Sequence, residues 1–208
     1  MAESKVIQSK LIYNNPVLLE VSKFLYPDEI VNLAEVVREV DEKVEVIPTD
    51  VLMYSNCEDL PRLVKIPDLK RLYLVIKNKT DCKLNDLYKL RGLTELSILS
   101  RGDINLYAMA NMRSLRYLFV KEASISSPFK PMNLDTLLLE NIYIDNDTLS
   151  SIANLELLTK LRLARIDIDG TEIPNVSFLS RLNNLTHLEL EDMGTLQGGK
   201  DIGKLTGL

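Results

Sequence analysis

The chain has 208 residues, of which 46% are hydrophobic, 26% charged and 6% aromatic, with no Trp and a formal net charge of -5. That apolar share suits a continuous core and excludes a disordered chain; eight Gly and eight Pro exclude collagen-like or low-complexity sequence. The excess charge lies in residues 1–50, which hold five Lys/Arg against ten Asp/Glu, while the rest balances at twenty of each; without clustered cation, nucleic acid is not an expected partner.

In chain order, the first elements are helical. Leu18, Val21 and Leu25 have the spacing of one helix face, and Ile30, Leu33, Val36, Val37 and Val40 that of a second. Pro27 separates them near the start of the second helix, where a missing N–H is tolerated. Residues 1–45 are therefore expected to be a helical hairpin, followed by a capping strand near Val51–Tyr54 and a return through Leu60, Leu63 and Ile66. The hairpin resembles an F-box. Pro16, Leu19, Val21, Phe24, Leu25, Pro27, Glu29, Ile30, Leu33, Val36 and Arg38 match that family's order, with Val37 where Cys is usual. The resemblance implies docking on the small adaptor of a cullin-type ubiquitin ligase through Pro16, Leu19, Val21, Phe24, Leu25, Ile30 and Leu33. Read from its residues alone, the hairpin is an amphipathic cap over the open edge of the core that follows.

Residues 46–208 are a repeat. Leu-x-x-Leu-x-Leu occurs at Leu69/Leu72/Leu74, Leu93/Leu96/Ile98, Leu115/Leu118/Val120, Leu134/Leu137/Leu139, Leu158/Leu161/Leu163 and Leu185/Leu188/Leu190. Successive starts are 24, 22, 19, 24 and 27 residues apart, and leucine fills 38 positions in all. Alternation with period two puts the leucines on one face of a short strand, and such a strand must stack on neighbours to bury that face. The segments between show period three: Leu84/Leu87/Leu90, Leu106/Met109/Met112, Leu149/Ile152/Leu155 and Val176/Leu179/Leu182. Short α- or 3₁₀-helical returns are expected there, one of them N-capped by Asp147 or Thr148. The 19-residue unit carries Ser-Ser-Pro-Phe-Lys-Pro at 126–131, so its return is expected to be extended.

This pattern resembles the leucine-rich repeat family, which implies a right-handed α/β solenoid with a parallel β-sheet on its concave side and short helices or extended returns on the convex side, here with an α-helical N-terminal cap. One position departs from the family. The Asn or Cys usual three residues after the last strand leucine is replaced by Ala123, Ile142, Ile166 and Met193, so the turns must satisfy their backbone groups by other means. The chain stops at Leu208 inside a repeat opening, which raises the expectation of a truncated chain or of a partner over that end.

Little in the sequence points to catalysis. One His and two distant Cys cannot build a structural zinc site, and Gly198-Gly199-Lys200 reads as a turn, lacking the spacing of a phosphate loop. No enzyme activity, cofactor or metal is expected. The absence of an apolar signal region or an eighteen-residue apolar run, with only Cys57 and Cys82, points to an intracellular (cytoplasmic or nuclear) protein without a membrane partner. The Asn-x-Ser/Thr sites at Asn78, Asn146, Asn175 and Asn184 would then carry no glycan. What remains is surface. Tyr73, Leu99, Tyr117, Phe119 and Leu138 are expected to form an apolar concave stripe about 15 Å across, with Lys160, Arg162, Glu189 and Glu191 beside it setting orientation. A protein-binding scaffold follows, read as an F-box/leucine-rich-repeat substrate-recognition subunit of a ubiquitin ligase; a structural or assembly component with the hairpin as a plain cap is the alternative.

Overall fold

The computed structural model describes residues 51–54, 69–76, 84–168, 173–205 and 207–208. The F-box-like hairpin, with Pro16, Leu19, Val21, Phe24, Leu25, Ile30 and Leu33, lies outside the described residues, as do both cysteines.

The repeats form a parallel coil. Its main sheet runs β1 (Val51–Tyr54), β2 (Arg71–Ile76), β3 (Glu95–Ser100), β5 (Tyr117–Lys121), β7 (Thr136–Ile144), β8 (Lys160–Ile168) and β9 (His187–Glu191), each pair parallel. The register follows the repeat: Leu72, Leu96, Leu118, Leu137, Leu161 and Leu188 stand opposite one another in turn. Through Leu163 the inward leucines are buried almost completely, whereas Leu188 and Leu190 are half-buried beneath a strand with one neighbour. Below each strand a second ladder binds the units: the carbonyls of Lys70, Thr94, Arg116, Asp135 and Thr159 each accept two backbone N–H groups from the following unit. Thr94, Thr159 and Thr186 add a hydroxyl to the same carbonyls at 3.0–3.1 Å.

The missing Asn column has a structural replacement. Beyond the main strands, β4 (Asp103–Ile104), β6 (Ser124–Ile125) and the last residues of β7 and β8 form a second parallel ladder, in which Ile104, Ile125, Ile144 and Ile168 align. Backbone groups that a turn would leave unpaired are thus satisfied strand to strand, as in Tyr143 N–H to the Ala123 carbonyl at 2.9 Å. The bend between the two ladders falls on Glu122, Asn141, Arg165 and Asp192, all left-handed with φ of 50–56°. Each such residue costs on the order of 1 kcal/mol unless it is Gly, Asn or Asp. The next residue inward, Ala123, Ile142, Ile166 or Met193, is buried in every case, and that burial offsets the cost.

The returns with period three are 3₁₀-helices at Leu84–Lys89, Tyr107–Asn111, Ser151–Asn154 and Ser177–Arg181, with a further one at Gly199–Lys204. Three residues per turn eclipse the apolar positions over the core. The third of these follows a short α1 (Asn146–Ser150) whose N-cap is Asp145, not Asp147 or Thr148: its carboxylate accepts from Thr148 N–H at 2.6 Å and the Thr148 hydroxyl at 3.1 Å. Thr148 is instead the residue being capped. Residues 126–134 contain no helix, as their two prolines require. Phe129 fills the space and is fully buried. Its N–H donates to Ser151 Oγ at 2.7 Å and its carbonyl accepts from Asn154 Nδ2 at 2.9 Å. Gly198 opens the last 3₁₀-helix at φ 78°, and a Cβ there would stand 2.6 Å from Ser177 N; the Gly-Gly-Lys segment is a turn.

Candidate interaction face

Three columns of side chains face outward from the main sheet, and the register fixes them. Arg71, Glu95, Tyr117, Thr136, Lys160 and His187 form the first; Tyr73, Ser97, Phe119, Leu138, Arg162 and Glu189 the second; Leu99, Lys121, Glu140 and Glu191 the third, in which Ala164 is fully buried. Tyr73, Leu99, Tyr117, Phe119 and Leu138 therefore occupy adjoining positions on four strands, all half-buried. Neighbouring aromatics desolvate one another. Burial pushes the Tyr73 hydroxyl above the usual tyrosine range, with Arg71 opposing and Glu95 adding to the shift. Burial, with smaller contributions from Tyr73 and Glu95, raises Tyr117 to about 12.

Charge at the other end is organised differently. Glu140 has a side chain only 12% exposed. It accepts Lys121 Nζ at 3.0 Å and Arg162 Nη1 at 3.4 Å, and pairs with Arg165 Nη2. Arg162 in turn reaches Glu189 through Nε at 2.9 Å and Glu191 through Nη2. Three cations and three anions thus close one network across β5, β7, β8 and β9. Burial works to raise the Glu140 carboxyl, but the Lys121 hydrogen bond and the charges of Lys121, Arg165 and Arg162 hold it below the usual carboxylate range.

Of the charged residues singled out in the sequence, Arg162, Glu189 and Glu191 belong to this network, whereas Lys160 is exposed one column away. His187 is exposed on the edge strand with Nδ1 2.9 Å from the Thr186 hydroxyl. The hub, Glu140, was visible in the sequence only as one acidic column member between Lys121 and Ala164; the reach of Arg165 depends on a left-handed residue that no glycine marks. Among the described residues no group of three or more His, Cys, Asp and Glu side chains is arranged to hold a metal ion, and no helix is long and apolar enough to cross a membrane.

No protein-family model and no curated protein sequence matches the chain. Solved structures do match its fold. An internalin of Listeria monocytogenes superposes with a TM-score of 0.52 at 21% identity, covering 74% of this chain and 43% of that one. A leucine-rich-repeat protein of Leptospira interrogans gives 0.50 at 22% identity, covering 76% and 41%. The Arabidopsis receptor kinase HAESA, solved with a peptide hormone and a co-receptor, gives 0.50 at 20% identity, covering 71% and 26%. The coil, the register and these neighbours define the fold as a leucine-rich-repeat solenoid of the α/β class. The chain spans less than half the length of each of the three.

Proposed function

We propose that this chain is a non-catalytic interaction scaffold that grips a protein partner on its concave sheet. One observation carries the reading: Tyr73, Leu99, Tyr117, Phe119 and Leu138 form a contiguous, half-exposed apolar surface on strands whose opposite faces already supply the core. Rigid aromatic side chains lose little entropy on binding and serve as anchors. The finer assignment is a substrate-recognition subunit of a cullin-type ubiquitin ligase in an intracellular setting. It is supported by the ordered match from Pro16 to Arg38 directly ahead of the repeats and by the scarcity of cysteine.

Two measurements test the two levels separately. Co-purification with the small adaptor of a cullin ligase should be lost in a Leu25→Asp, Leu33→Asp variant; no enrichment of the parent over the variant refutes the ligase assignment and leaves the assembly scaffold. Partner affinity at two salt concentrations should fall more for Tyr117→Ala with Phe119→Ala than for Arg162→Ala with Glu189→Ala. Parental binding by the folded aromatic variant would exclude this face.

A further inference from the structure

We infer that the notch over Ser97 seats a basic side chain, arginine above all, from an extended segment of a protein partner. The inference rests on the reading of the concave sheet as the interaction face. Ser97 is the short residue of the second column, in register with Tyr73 on one side and Phe119 on the other. Neighbouring strands lie about 4.8 Å apart, so the two rings stand roughly 10 Å apart across the serine. A flat cation between them would sit about 5 Å from each ring, within the range of about 6 Å over which an aromatic face attracts positive charge.

Charge complementarity selects the occupant. Glu95 lies two residues before Ser97 on the same face, is exposed, and has no ion-pair partner among the described residues. It is near enough to influence both Tyr73 and Tyr117 electrostatically. Of the nearby cations, Lys121 is held by Glu140 at 3.0 Å, and Arg71, directly opposite Glu95 in register on β2, leaves the Tyr117 and Phe119 side of that carboxylate open. An apolar side chain in the notch would bury the Glu95 carboxylate without compensation, and an acidic one would repel it. A guanidinium pairs with Glu95, stacks on the rings, and leaves its methylene stem against Leu99. Lysine satisfies the charge without the stacking.

The test is a chemical-shift titration of the ¹⁵N-labelled chain with N-acetyl-Leu-Arg-Leu-amide and its uncharged citrulline isostere. The arginine peptide should shift the amides of Tyr73, Ser97 and Phe119 and bind about tenfold tighter than the citrulline peptide. Glu95→Gln should abolish that preference while leaving the fold intact, and Ser97→Leu should block both peptides by filling the notch. Equal affinity for the two peptides, an arginine preference that survives Glu95→Gln, or no shift at the notch would each overturn the seat. If the seat fails but Tyr117→Ala with Phe119→Ala still releases the partner, the interaction face stands without it. If that variant also binds like the parent, both readings fail.

Discussion

Phe129 does the work of an entire return segment, so its removal should be more damaging than its place in an irregular stretch suggests. The unit that contains it advances only 19 residues from Leu115 to Leu134, and residues 126–134 include no helix. Its ring is fully buried. Burying about 200 Å² of aromatic surface at about 25 cal/mol per Å² is worth roughly 5 kcal/mol. Truncation to alanine therefore removes about 3–5 kcal/mol, allowing for partial collapse of the cavity. A solenoid's stability is a sum over units and their interfaces, so this loss should act locally, uncoupling the units before Ser127 from those after it. Ser151→Ala separates packing from pinning: it leaves the Phe129 N–H without its acceptor and should cost about 1–3 kcal/mol. Equilibrium guanidinium unfolding gives the totals, and native-state amide exchange should show β3 and β5 losing protection with less change in β8. A loss below about 1 kcal/mol for Phe129→Ala, well under the ordinary cost of deleting a buried ring, or uniform loss of protection along the coil, would refute the reasoning.

Three further outcomes are expected. Asp145→Ala should destabilise the chain by about 1 kcal/mol through loss of the α1 cap, whereas Asp147→Ala, with no capping bond, should change the unfolding midpoint little. The depressed Glu140 carboxyl contributes stability that is fully present above the usual carboxylate range and is lost as pH falls through its lower folded value; Glu140→Gln should make the acid side of the stability–pH curve shallower in denaturant titrations. Tyr117 behaves in the opposite sense: with its hydroxyl raised to about 12, its contribution is complete below the ordinary tyrosine value and disappears as pH rises through about 12. Absorbance titration should show late-ionising tyrosine absorbance, to which Tyr73 also contributes, and Tyr117→Phe should remove its latest part.

Alternating leucines are a local signal from which the six main strands from Leu72 to Leu190 could be read, and period-three spacing or paired prolines marked the helical or extended character of the described returns. What the sequence concealed depends on backbone geometry. Ala123, Ile142, Ile166 and Met193 looked like a defect, the loss of a polar column, when all four are buried and the first three lead into or begin a second ladder. Recognising that ladder requires Glu122, Asn141, Arg165 and Asp192 to be left-handed. Only Asn and Asp hint at this, and neither is rare on a surface. The N-cap was misplaced by two residues because Asp145, Asp147 and Thr148 are all competent, and only the chain's exit from β7 decides which carboxylate faces the free N–H groups.

The same bend shapes the interaction face. A left-handed residue at the corner of β8 lets the Arg165 side chain reach Glu140 on the neighbouring strand, so that carboxylate is engaged by Lys121, Arg162 and Arg165 together. A partner approaching the C-terminal half would have to break ion pairs already formed and partly desolvated, giving up about as much as it gained. The network is neutral in sum, a poor place for charge to discriminate. At the aromatic end the balance is reversed: Tyr73, Tyr117 and Phe119 stand half-buried beside Glu95, an exposed carboxylate with no ion-pair partner among the described residues. Selectivity for a partner's charge is therefore expected where the surface carries least charge, because there a single ionic contact is left unmade.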